Sequence, residues 1–167
     1  MPAARPAGTE APMAARYWLL KSDPDTFGIE HLAKAPRRRT VWDGVRNFQA
    51  RNMLRDDVRA GDGVFLYHSG EEKAVVGTCL ITKAGFPDPT QFDRKHHGFD
   101  ADSDPQDPRW YAVEIVLDRV LATPVTLAAM RKSKVLANMV LLKKGSRLSV
   151  QPVTPAEWAE ILRMAGA

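Results

Sequence analysis

Residues 17–24, YWLLKSDP, decide how the rest of the chain is read. Residues 16–21 are bulky enough for a strand. Asp23-Pro24 ends it, because the residue before a proline is driven from the helical region and proline has no N–H to donate. A strand that carries Trp18, Lys21 and Ser22 can be plain core edge, or one wall of a pocket that holds something flat and polar.

Working outward, a short helix follows with Ile29 and Leu32 facing inward. Residues 46–58 place Ala50, Met53, Leu54 and Val58 at the helical period, so an amphipathic helix is expected after the loop WDGVRN. DGVFLYH and AVVGTCLIT read as strands that pair in a hairpin, punctuated by Gly61, Gly63 and Gly70. Residues 85–108, with four prolines and many aspartates, read as a long surface loop. WYAVEIVLDRVL alternates as a further strand, and TPVTLAAM starts a short helix. Thr154-Pro155-Ala156-Glu157 is a capping box with proline at the first helical position; Val153 is placed to staple onto Trp158, and Trp158, Ile161 and Leu162 form the inward stripe. Short strands interleaved with short helices, without regular strand-helix alternation, predict an α+β fold around a small barrel.

The chain's 167 residues suit one domain, and 44% hydrophobic with 26% charged residues is an ordinary globular composition. The longest apolar candidate, VLANMVLL, is interrupted by Asn138 and falls far short of the ~20 residues that cross a bilayer, so no membrane association is expected. Residues 1–14 have no continuous apolar block; they read as a disordered leader rather than a secretory signal, before a domain over 15–167. The single cysteine, Cys79, sits in a strand and reads as a buried structural thiol in a reducing compartment. A monomer is the expected state, in a bacterial cytoplasm or, in a eukaryote, the nucleus.

Charge is unevenly distributed. Residues 31–60 hold eight Lys or Arg against three Asp, and residues 131–147 hold six basic residues and no acid. Residues 86–118 carry eight acids against three bases. The two basic segments either converge on a surface that meets phosphates or remain separate solvated faces. Arg37, Arg38, Arg39, Arg51, Lys132, Lys134, Lys143 and Lys144 are the phosphate-binding candidates.

YWLLKS, WDGVRN, YHS and RLSVQP each combine polar groups with apolar or aromatic ones at element ends. A nucleobase is held by stacking, about 1–3 kcal/mol per base, and by a few bonds to its edge. Trp18 or Trp42 could stack, and Asn47 could read a base edge or simply cap the helix.

YWLLKSDP, VWDGVRNFQARNMLR, GDGVFLYHS, GTCLITK, DPRWYAVEIV and RLSVQPVTPAEW, in this order across nearly all of residues 16–164, closely resemble the EVE family. The resemblance implies a PUA-like bent pseudo-barrel of five to six strands with flanking short helices. It also implies a non-catalytic reader of modified cytosine in DNA, 5-methylcytosine or its oxidised forms, that flips the nucleotide into a pocket. On these words the family's base-binding pocket carries over to Trp18, Lys21 and Ser22; Val45, Arg46 and Asn47; Tyr67, His68 and Ser69; and Arg147, Leu148 and Ser149. The chain departs from the family's usual words at Asp23, where Glu is common, and at Phe48, where Tyr is common.

The alternatives are an RNA-modification reader, or an amidohydrolase of the related PUA and ASCH folds using Lys21, His68 and Ser69. No G-x-S-x-G or phosphate-binding loop supports acyl or phosphoryl transfer. Asp93, His96, His97, Asp100 and Asp102 have metal-ligand chemistry, but consecutive histidines lack a zinc spacing, so no metal and no cofactor are expected.

Overall fold

The computed structural model describes residues 16–144 and 147–167, so the leader expected over 1–14 lies outside the described residues. One mixed sheet runs in the order β2-β5-β4-β3-β1-β6. Its strands are β1 (Tyr17–Ser22), β2 (Arg39–Trp42), β3 (Gly63–His68), β4 (Ala74–Pro87), β5 (Tyr111–Thr126) and β6 (Val150–Val153). β1 and β3 are parallel and every other neighbouring pair is antiparallel. The helices are α1 (Ile29–Lys34), α2 (Phe48–Asn52), α3 (Leu127–Arg131) and α4 (Pro155–Met164).

Side chains alternate across a strand, so the sheet has two cores. Trp18 and Leu20 join Val64, Leu66, Val76 and Ile115 on one face; Leu19 joins Phe65, Tyr67, Met130 and Ile161 on the other. All six residues of β3 are buried, which explains its unbroken apolar run. The long β4–β5 ladder shifts register at several points between Val75 and Phe86. Such bulges bend a sheet, giving the curvature a pseudo-barrel requires.

Four local readings are refined. The helix expected over 46–58 is a short α-helix followed by a π-helical turn, Met53–Asp57, closed by Val58 N–H donating to the Met53 carbonyl at 2.9 Å. Ala50, Leu54 and Val58 are buried as their spacing requires, but spacing alone does not separate the two hydrogen-bond patterns. β4 continues to Pro87, so the connection that follows is shorter than expected, and it is ordered by a buried hub. There Gln91 donates to the carbonyls of Asp88 (2.7 Å) and Trp110 (2.8 Å) and accepts from Ser103 Oγ (2.6 Å) and Trp110 N–H (3.1 Å). β5 extends through Thr126, whose hydroxyl accepts from Ala129 N–H at 3.1 Å, so the helix starts only at Leu127. The short β2, preceded by Pro36 and three arginines, carried no alternation to reveal it.

The C-terminal capping box is present: Glu157 N–H donates to Thr154 Oγ1 at 3.1 Å and Thr154 N–H to Glu157 Oε1 at 2.9 Å. Trp158 stacks between Tyr17 and Phe65, with centroids 4.4 and 4.0 Å away. Cys79 is buried, and that burial pushes its thiol up to about 12. Among the described residues no helix is long and apolar enough to cross a membrane.

Candidate functional site

A cleft of about 540 Å³ opens where the C-terminal end of β1 meets the loop after β2. Lys21 and Ser22 form its floor, since β1 runs out there and Asp23-Pro24 turns the chain away. Ser149 enters beside them because Lys21 N–H donates to its carbonyl at 2.9 Å, extending the β1–β6 pairing by one rung. Phe27 and Trp42 supply aromatic walls, meeting edge to face with centroids 6.1 Å apart at 84°. Asp43, Val45 and Arg46 line one side, and His96 and His97 close the other.

One side of this cleft is locked by charge. Arg46 donates from Nη1 to the Val45 carbonyl (3.1 Å) and Asp88 Oδ2 (2.9 Å), and from Nη2 to Thr90 Oγ1 (3.1 Å) and the Gly98 carbonyl (2.7 Å). Its guanidinium also lies 5.3 Å from the Trp110 ring centroid. The buried Asp88 carboxylate accepts in addition from Gly44 N–H (2.8 Å) and from Thr90 N–H and hydroxyl (2.8 and 2.7 Å). Burial pushes the Asp88 carboxyl up, but hydrogen bonds from Thr90, Gly44 and Arg46 outweigh it and hold the group below its ordinary value. Asp43 is raised instead, first by burial and then by the charge of Asp88, with His96 and Arg46 pulling the other way. Burial lowers Lys21.

Of the pocket residues expected from the sequence, Lys21, Ser22, Trp42, Val45, Arg46 and Ser149 line the cleft. The others lie elsewhere. Trp18 is buried in the core, where its indole N–H donates to Asp62 Oδ2 at 2.9 Å. Asn47 caps α2, accepting Ala50 N–H at 2.9 Å. Ser69 sits behind Ser22, with its hydroxyl on the Ser22 carbonyl at 3.2 Å. Tyr67 is buried on the opposite sheet face. His68 lines a separate cleft of about 340 Å³ with His31 and Glu72; its Nε2 accepts Ile29 N–H at 3.0 Å, which leaves the proton on Nδ1 facing Glu72 at 2.7 Å. Leu148 packs against the first core cluster and Arg147 is exposed.

Among the phosphate-binding candidates, Arg37 and Arg38 stand exposed on the turn that leads into β2. Arg39 pairs with Glu114 at 3.5 Å, and Arg51 donates to the Arg109 carbonyl at 2.6 Å. Lys132 and Lys134 line a third, basic concavity of about 380 Å³ with Arg131 and Ser133, and Lys143 and Lys144 are exposed nearby in sequence.

Phe27, Asp43, His96 and His97 are site residues that sequence reasoning passed over. Asp43 stood inside the quoted word WDGVRN, between Trp42 and Arg46, so its position was a usable signal. The histidines, weighed only as metal ligands, stack on one another at 4.3 Å. Among the described residues no cluster of three or more His, Cys, Asp or Glu is arranged to hold a metal.

The EVE domain model matches residues 16–164. Thymocyte nuclear protein 1 of Gallus gallus is 35% identical over 175 residues, 94% of this chain and 72% of that protein. A crystal structure from Pseudomonas putida is 41% identical, with TM-score 0.84, covering 89% of this chain and 99% of the other. The human THYN1 protein, in a crystal structure of its complex with 5-methylcytosine containing DNA, is 34% identical with TM-score 0.85, covering 92% of this chain and 99% of that one. Agreement of this extent in both sequence and backbone has one reading: the chain belongs to the EVE domain family.

Proposed function

We propose that this chain binds DNA at a modified cytosine, 5-methylcytosine or an oxidised derivative, by extruding that nucleotide into the cleft beside Lys21 and Trp42. The observation that carries the reading is the superposition of nearly the whole chain on human THYN1, which was crystallised with 5-methylcytosine containing DNA. The cleft is of the kind that takes a small planar ligand, since such sites run from about 300 to 1,000 Å³ and combine apolar walls with a few placed polar groups.

Extrusion costs a few kcal/mol of unstacking and unpairing, which stacking on Phe27 or Trp42 and bonds to the base edge must exceed. A buried methyl contributes only about 0.8 kcal/mol, so Lys21 and Ser149 add discrimination for a substituent that accepts hydrogen bonds. The Ser22 hydroxyl already donates to the Phe27 carbonyl, so it meets the ligand as an acceptor. Arg37, Arg38, Lys132, Lys134, Lys143 and Lys144 would hold flanking phosphates without reading sequence.

Binding without turnover is the reading that the side-chain positions favour. The amidohydrolase alternative needs Lys21, His68 and Ser69 in one cavity, whereas His68 lines the other cleft and the Ser69 hydroxyl is bonded to the Ser22 carbonyl. The test is a binding panel of plain, methylated, hydroxymethylated and carboxylated cytosine in DNA and RNA, single and double stranded. Tighter binding to modified than to plain cytosine in DNA is the expected result. Equal affinity for modified and plain strands, or turnover of a modified nucleoside, would overturn it.

A further inference from the structure

Resting on that reading, we propose that Asp43 is the residue that identifies the extruded base as cytosine, its carboxylate accepting the exocyclic amine at the 4-position. The need for such a group follows from ligand chemistry. Thymine carries the same 5-methyl group as 5-methylcytosine, so an apolar corner that fits one methyl fits the other. The two bases differ at the 4-position, an amine donor in cytosine and a carbonyl acceptor in thymine, and at N3. A reader of methylated cytosine therefore rejects thymine only through an acceptor set against that position.

The cleft offers few side chains for this task. Arg46 lines it, but all four of its Nη hydrogens are committed to Val45, Asp88, Thr90 and Gly98. Asn47 is engaged as the cap of α2. Lys21 supplies donors only, and an ammonium set against the cytosine amine would oppose donor to donor. Asp43 is a cleft-lining carboxylate on the same loop, held by its own backbone N–H, and a carboxylate has about four lone-pair sites, so acceptor capacity remains. Its neighbour Gly44 is pinned to Asp88 at 2.8 Å, which fixes the backbone that presents it.

An ionised carboxylate accepts the cytosine amine and faces the thymine carbonyl acceptor to acceptor, which is the repulsive half of the selectivity. A protonated carboxyl loses that selectivity, because it can donate to the thymine carbonyl while accepting from N3–H. Asp43 feels Asp88, Arg46 and His96, and shares the cleft with Lys21, Asp23 and His97. Burial and Asp88 raise its titration, so the loss on acidification begins above the ordinary carboxylate range.

The experiment compares three duplexes that differ at one pair, 5-methylcytosine:G, C:G and T:G, by fluorescence anisotropy with wild type, Asp43→Asn and Asp43→Ala. Wild type should prefer 5-methylcytosine over thymine by at least about tenfold near pH 8. That ratio should fall toward unity in Asp43→Asn, whose amide can donate as well as accept, and should shrink for wild type between about pH 8 and about pH 5.5. Cationic histidines strengthen phosphate contacts for all three duplexes alike, so the ratio isolates the base. A wild type that binds methylated and plain cytosine equally would sink the underlying reading. A wild type that prefers the methylated duplex, with a thymine ratio unmoved both by Asp43→Asn and by pH, would overturn the Asp43 assignment alone.

Discussion

Nη1 of Arg46 lies 2.9 Å from Oδ2 of Asp88, whose side chain is fully buried while that of Arg46 keeps 27% of its surface. This pair ties the loop after β2 to the connection between β4 and β5, two segments about forty residues apart that meet only at the cleft. Asp88→Ala would strip the acceptor from Arg46, Gly44 and Thr90 together. The expected loss is about 3 kcal/mol, the lower end for a broken buried pair because Arg46 can recover water. Because the Asp88 carboxyl titrates below its ordinary value in the folded state, its contribution is complete above the unfolded-state value and is lost as pH falls through the folded one. Urea unfolding at neutral pH and in acid checks both parts: wild type should lose stability on acidification, and Asp88→Ala should lose less.

Gly77 joins α1 to the sheet. A Cβ at this position would collide with Ile29 Cδ1 and stand 2.8 Å from the Arg119 carbonyl oxygen. Ile29 is buried in the core and the oxygen belongs to β5, so neither can withdraw freely. Gly77→Ala should therefore cost about 1–3 kcal/mol through overpacking, despite adding one methyl group. The double variant with Ile29→Val, which shortens the colliding side chain, should recover part of that loss in thermal unfolding.

Phosphate contact has a separate signature from base reading. If about four phosphates are held, affinity for duplex DNA should fall on the order of 100-fold between about 50 and about 200 mM salt, while the preference for modified over plain cytosine stays constant. Lys132→Glu with Lys134→Glu should weaken both duplexes equally and flatten the salt slope by about two units. Anisotropy titrations at several salt concentrations measure this. A preference that changes with salt would mean that the charged groups take part in reading the base.

How much of this was legible depended on distance along the chain. Strand parity, the capping box of α4 and the buried faces of α1 and α2 are local patterns, and the sequence displays them directly. The cleft is assembled across nearly the whole domain, from Lys21 to Ser149, and its closing residues come from a connection whose path is set by Gln91 and Asp88. Nothing in a Pro- and Asp-rich stretch foretells that a buried glutamine will fold it back on Arg46. Trp18 illustrates the opposite difficulty. Alternation places it with Leu20 on one sheet face, but only the tertiary position of Asp62 decides that its indole N–H turns to a buried carboxylate and away from the cleft.

Phe27 provides the cleanest probe of stacking. Its ring is braced by His31, with centroids 5.5 Å apart at 24°, and meets Trp42 edge to face. Trp42 is 9% exposed, so truncating it would empty core as well as cleft and confuse stability with binding. Phe27 is partly exposed, and Phe27→Ala should leave the fold largely intact while removing one aromatic wall. Stacking on one base contributes about 1–3 kcal/mol, so affinity for a modified duplex should drop about 5- to 150-fold. Phe27→Leu separates the two physical origins of that loss: leucine restores apolar volume without a flat π face. If stacking dominates, leucine should bind nearly as weakly as alanine. Recovery to wild-type affinity with leucine would mean that the wall acts by excluding water and shape alone, and Trp42 would then be the ring that faces the base.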